Sequence, residues 1–141
     1  MRVINPYLNF DGKTEEAFNF YKSVFGGNFI RFQRFNEMQG GPALSDEDGQ
    51  KIMHVSLPLS QTSTLMGSDI LQSFGQNLIV GNNFYISLDA ESEEEADKIF
   101  NLLSVGGTVE MPLQNTFWGA YYGSFADKFG GLWMIVYEKK V

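Results

Sequence analysis

The chain has 141 residues, the length of one domain and enough to bury most of its apolar side chains without disulfides or a structural metal. Its formal net charge is −7 and its ten Lys and Arg are scattered, so no basic surface is available to track phosphates and a nucleic-acid partner is excluded. Cysteine is absent, which also removes thiolate metal sites and a cysteine nucleophile.

The opening segment, MRVINPYLNF (1–10), goes straight into strand-like alternation, with no basic stretch followed by a long apolar run. Neither a signal peptide nor a membrane span is expected, and a cytoplasmic location fits. YLNFDGKTEEA (7–17) then returns as YISLDAESEEEA (85–96): Tyr7 falls on Tyr85 and Asp11 on Asp89, both at an offset of 78. Ala17 falls on Ala96 and Gly26-Gly27 on Gly106-Gly107, so the offset drifts only by single insertions. Each copy reads as a short strand, an Asp-containing turn, an acidic helix start and an amphipathic helix closed by Gly-Gly.

In the first copy Thr14 is the expected N-cap, with Ala17, Tyr21, Val24 and Phe25 as the apolar stripe. In the second, Ser92 and Glu95 form a capping box ahead of Ala96, Ile99, Phe100 and Leu103. Glu15, Glu16 and Glu93 to Glu95 sit in first turns, where the helix dipole favours negative charge, and need no catalytic role. Three strand-like runs follow each helix, at 28–35, 51–59 and 63–69 in the first half and at 107–113, 120–127 and 132–139 in the second. The polar stretch 36–50 reads as a mobile hairpin connection or a lid, and 70–82 as the connector between the halves. The result is an α+β fold of two βαβββ modules, about 1–69 and 83–141, in a single domain. Four strands and one helix cover only one face of a sheet, so the modules are expected to pair through their sheets around a curved groove.

His54 is the only histidine, and in Ile52–Leu57 it alternates with Met53, Val55 and Leu57, so it shares a face with Ser56 away from the apolar side. It reads either as a lining residue of the groove, able to act as a base, or as a histidine that only hydrogen-bonds the sheet or solvent. The same phase groups Asn5, Tyr7 and Asn9, and their repeats Asn83, Tyr85 and Ser87, as a pocket lining for a small organic ligand or as a solvated sheet surface. Trp118 and Tyr122, in TFWGAYYGSFADKFG (116–130), are the favoured aromatic contacts. DKFGG (127–131) reads as a hairpin turn, because no helix follows it to receive a phosphate. No glycine-rich strand-to-helix turn with a ribose-binding acidic residue is present, so a nucleotide-type cofactor lacks its usual seat.

Paired βαβββ modules resemble the vicinal oxygen chelate superfamily, which holds glyoxalase I, extradiol dioxygenases, and fosfomycin and bleomycin resistance proteins. Within it, PYLNFDGKTEEAFNFYKSVFGG (6–27), MHVSLPL (53–59), LMGSD (65–69) and FWGAYYGSFADKFGGLWMIVYEK (117–139) are similar to the PhnB-like branch, often labelled 3-demethylubiquinone methyltransferase-like. The resemblance implies a divalent metal in the enzymes, held from the first and last strand of each module. Those positions fall on Asn5, on Met66 or Gly67, on Asn83 and on Met134. Amides and thioethers are poor donors for a hard divalent ion, so no metal and no cofactor are expected. Three function classes follow: a metal-free small-molecule-binding protein, expected to be a homodimer; a lyase, isomerase or dioxygenase with a relocated metal on His54, Asp69 or Glu138; and an interaction module without a ligand.

Overall fold

The computed structural model describes residues 2–38 and 40–139. The chain divides into two compact units after Ile79, inside the expected connector. The first unit runs β1 (Tyr7–Phe10), α1 (Thr14–Phe25), β2 (Arg31–Arg34), a short α2 (Asp46–Gln50), β3 (Ile52–Pro58) and β4 (Thr64–Asp69). The second runs β5 (Ile86–Asp89), α3 (Glu93–Leu103), β6 (Thr108–Asn115), β7 (Ala120–Ala126) and β8 (Leu132–Glu138). Each unit is the expected βαβββ, and its four strands form one mixed sheet: β1-β4-β3-β2 in the first and β5-β8-β7-β6 in the second. In both, the first strand pairs parallel with the last and the remaining pairs are antiparallel.

One side of each sheet is covered by its helix. Ala17, Phe18 and Tyr21 of α1 pack with Val55, Leu57 and Leu65, and Ala96, Phe100 and Leu103 of α3 with Phe125, Trp133 and Ile135, all buried. Both contacts need a glycine on the strand beneath a phenyl ring. A Cβ on Gly67 would stand 2.7 Å from the Phe18 ring and 2.8 Å from the Leu8 carbonyl oxygen, and one on Gly123 would stand 2.7 Å from the Phe100 ring. Phe18 lies outside the expected stripe, which named Val24 and Phe25 instead; both of those are only half-buried.

The two helix starts are built differently. Ser92 Oγ accepts from the Glu95 amide, and the Glu95 carboxylate accepts from the Glu91 amide, one residue ahead of the cap. In α1 the expected cap is displaced: Lys13 holds the N-cap position without a side-chain bond, and Thr14 is the first helical residue. Thr14 Oγ1 donates to Asp69 Oδ1 at 2.7 Å, the Thr14 amide donates to the same oxygen at 3.1 Å, and the Ile52 amide donates to Asp69 Oδ2 at 2.9 Å. A carboxylate at the end of β4 thus caps α1 and anchors the start of β3.

Two connections also differ from expectation. Residues 36–50 are not a bare hairpin loop: they hold a one-turn helix at Phe35–Glu37 and α2, capped by Ser45 Oγ on the Asp48 amide. Asp48 accepts from Ser73 and pairs with Lys51, which ties α2 to the connector after β4 and to the residue just ahead of β3. In the connector, Ile70 and Leu71 are buried in the first unit and a single turn follows at Gln72–Phe74.

The Asp69 arrangement leads to a quantitative expectation. Asp69→Ala strands three donors, two of them from Thr14, which is fully buried, and costs about 3 kcal/mol. Thermal denaturation followed by circular dichroism should show a fall of roughly 10 °C in Tm. A change within about 1 °C would show that Asp69 is not the anchor.

Candidate functional site

Period-two alternation turns every second strand residue away from the helix, and on these open faces the polar and aromatic candidates collect. In the first unit the strand register sets Tyr7, Met66, Ser56 and Arg31 in one row across the sheet. Tyr7 starts the edge strand β1, yet its phenol reaches across β4 to His54 on β3, with the hydroxyl 3.2 Å from Nδ1 and the rings 5.6 Å apart. His54 Nε2 is 2.7 Å from Oγ of Ser56, a residue only 4% exposed. Asn9 and Ser68 share this face, the serine donating to the amide oxygen at 3.3 Å.

The second unit repeats the crossing with a different partner. Tyr85 lies one residue ahead of β5 and donates its hydroxyl to Glu110 Oε1 at 2.7 Å, although β5 and β6 are the opposite edges of the sheet. Tyr122 points from β7 to the same side as Ser124, and Trp118, 60% exposed in the β6–β7 turn, stands with its ring 6.4 Å from that of Tyr122. Phe117 packs edge-on against Trp118 at 4.9 Å. Tyr85, Trp118 and Tyr122 are therefore brought into one neighbourhood as aromatic candidates. Glu110 was missed: its only signal in the sequence is a lone carboxylate in the otherwise apolar run GTVEMPL.

The asparagines do not behave as the repeat suggests. Both Asn5 and Asn83 precede their strands rather than lying on them. Asn5 Oδ1 accepts from the Thr64 amide at 3.0 Å and so extends the β1–β4 pairing, whereas Asn83 is exposed in a bend. Asn5 is a structural side chain, and its amide oxygen is already engaged.

The same geometry tests the divalent ion that the fold implies. Of the four positions, Asn5 has its oxygen committed to the backbone, Asn83 offers only a neutral amide from an exposed bend, the third is either the Met66 thioether or Gly67, which faces the helix, and Met134 offers another thioether. This donor set does not fit a hard cation. The relocated set fares no better: Asp69 spends both oxygens on Thr14 and Ile52, on the helix side of the sheet, while His54 points to the other side. Among the described residues no three His, Asp or Glu side chains converge. None of the helices among them is long and apolar enough to cross a membrane.

A family model described as 3-demethylubiquinone-9 3-methyltransferase matches residues 2–136. The chain belongs to that family. Its structure is similar to protein PA1353 from Pseudomonas aeruginosa, at 36% identity and a TM-score of 0.85 over 99% of this chain and 100% of that one. It is also similar to a putative 3-demethylubiquinone-9 3-methyltransferase, PhnB protein, from Bacillus cereus, at 27% identity and a TM-score of 0.74 over 96% and 99%. A glyoxalase/bleomycin resistance protein from Albidiferax ferrireducens T118 shares the fold at 18% identity and a TM-score of 0.64, over 96% and 97%. The α+β fold is thus the glyoxalase/bleomycin resistance fold, in its PhnB-like form.

In this PhnB-like chain the electrostatics of the two faces differ in kind. Partial burial, followed by the nearby Arg31 guanidinium, holds the His54 imidazole below its ordinary pKa of 6.5, so it is neutral at neutral pH. Either tautomer suits its two hydroxyl neighbours, which can each donate or accept. The hydrogen bond to Glu110 raises the Tyr85 phenol instead, keeping its proton in place.

A His pKa that is lower in the folded state means that the unfolded chain binds more protons once the pH drops below about 6.5. Stability from this source is complete above that value and declines as the pH falls towards the folded pKa. Urea unfolding at neutral pH and at about pH 5 should therefore show a larger loss of stability in the wild type than in His54→Gln. Equal losses would mean that His54 titrates as it does in the unfolded chain.

Proposed function

We propose that the chain is a metal-free binding protein for a small organic molecule, held by aromatic stacking and neutral hydrogen bonds on an open sheet face. The observation that carries this reading is the Tyr7–His54–Ser56 row, a set of neutral donors and acceptors beside an exposed phenol ring with no carboxylate among them. Aromatic rings with a few fixed polar groups are how pockets hold organic ligands. The donor chemistry at the four family positions supports the metal-free part.

The family description names a methyltransferase, an activity that this reading does not include. Methyl transfer from a nucleotide-type donor needs a seat for the donor, and neither mixed sheet offers a glycine-rich turn from a parallel strand into a helix N-terminus. Ligand sequestration of the bleomycin-resistance kind is one concrete form of the proposal. A homodimer and a cytoplasmic location belong to it as well. The exposed edge strand β6, with Val109 and Met111 uncovered, favours the dimer, which sedimentation of the purified chain would test.

The reading makes a paired prediction. Metal-stripped protein should show no specific thermal stabilisation by Zn²⁺, Mn²⁺, Ni²⁺, Co²⁺ or Fe²⁺, since an ion at about 100 times its Kd would add roughly 2.7 kcal/mol. Aromatic probes such as phenol, indole and benzamide should raise Tm, and His54→Ala or Tyr7→Phe should weaken the effect several-fold. A metal-dependent shift of several degrees that disappears in His54→Ala would overturn the proposal in favour of a metalloenzyme.

A further inference from the structure

The second unit carries an arrangement that the metal-free binding reading does not require. On the open face of β5-β8-β7-β6, a carboxylate sits at the end of a train of aromatic side chains: Tyr85 binds Glu110, Trp118 stacks towards Tyr122, and Phe117 closes edge-on against Trp118. The Tyr122 phenol lies near enough to Tyr85 to add a little to the upward shift of the Tyr85 phenol. Trp118 and Phe117 are well exposed, so the rings are presented to solvent rather than spent on the core. From these residues, and resting on that reading, we infer that this face is a site for an organic cation, an alkylammonium or similar group.

Three observations carry the inference. The first is chemical: aromatic faces attract cations through the ring quadrupole, most strongly Trp, and an adjacent carboxylate adds direct charge neutralisation. The second is the state of Glu110. It accepts one hydrogen bond, on Oε1, and among the described residues no Lys or Arg forms an ion pair with it. A carboxylate held by a tyrosine of this aromatic train, without a cation of its own, is a seat for one from outside. The third is that Tyr85 spans the sheet to reach it. The phenol keeps its proton and donates to the carboxylate, so Glu110 is held in one orientation. The net charge of −7 draws cations towards the chain before any contact is made.

The first unit is built differently. There the equivalent tyrosine meets a neutral imidazole beside Arg31, a setting that repels a cation. The repeat has kept the crossing tyrosine and changed the charge of what it holds.

The test compares choline with its uncharged carbon isostere, in which a tert-butyl group replaces the trimethylammonium. The two have nearly the same shape, and the charge is what differs. Binding is followed through the fluorescence of Trp118, with Trp118→Leu identifying the signal, because Trp133 is fully buried. Choline should bind at least tenfold more tightly than the isostere in the wild type. Glu110→Gln, which keeps an acceptor for Tyr85 but removes the charge, should bring the two ligands to within about threefold of each other. Both substitutions are on the surface and should leave Tm within a few degrees, so a loss of binding is not a loss of fold.

Equal binding of the two ligands, or a choline preference that survives Glu110→Gln, would overturn the inference. If the neutral isostere and indole still bind in a Trp118-dependent way, the site takes neutral organic molecules: the cation inference falls and the binding-protein reading stands. If neither ligand perturbs Trp118, the inference falls, while the His54 face remains to be judged by its own probes.

Discussion

The first unit depends on one carboxylate. Asp69, 5% exposed at the end of β4, takes three hydrogen bonds from two places far away in sequence: the start of α1 and the start of β3. A buried carboxylate is costly unless its oxygens are satisfied, and a helix N-terminus leaves amides that need an acceptor. Each solves the problem of the other. Because α1 is pinned at Thr14, Phe18 is set down on Gly67, and because β3 is pinned at Ile52, the alternation that turns His54 and Ser56 to the open face begins in the correct phase.

The second unit reaches the same architecture by another device. Asp127 is 3% exposed and accepts from the Phe129 and Gly131 amides and from the Trp133 indole, so it shapes the β7–β8 turn and fixes the largest fully buried side chain. The helix is tied across by Tyr121, whose hydroxyl donates to Asp97 of α3; that carboxylate pushes the phenol up to about 12. A folded pKa above the ordinary 10.0 means that this contribution is intact below that value and is lost only as the pH rises through the folded one. The repeat is therefore one of topology and burial, with separate polar fastenings in each copy.

What could be read from the chain follows the distance over which each interaction acts. The cap of α3 was legible because Ser92 and Glu95 are three residues apart, and the phase of His54 was legible because alternation is local. Thr14 was misread as a cap because its partner lies 55 residues away, and no local pattern marks a hydroxyl that donates to a distant carboxylate. The two asparagines looked equivalent by offset, but Asn5 is drawn into pairing with Thr64 by a strand that its repeat does not meet in the same way. The contact of Tyr7 with His54, across 47 residues, requires the strand order β1-β4-β3, and that of Tyr85 with Glu110 requires β5 and β6 at opposite edges. The site's polar connections were out of reach for the same reason: they are set by strand order.

The glycines beneath Phe18 and Phe100 have a consequence for how such a protein can change. On β4 and β7, Gly67 and Gly123 face inward and are locked by the rings above them, while neighbours such as Met66 and Tyr122 face the other way and are only half-buried. Adjacent letters of the sequence thus answer to different constraints: one set holds the shape, and the other makes the open face. A duplicated module built this way can diversify what it recognises by drifting at alternate positions along its strands, with its scaffold preserved in the positions between.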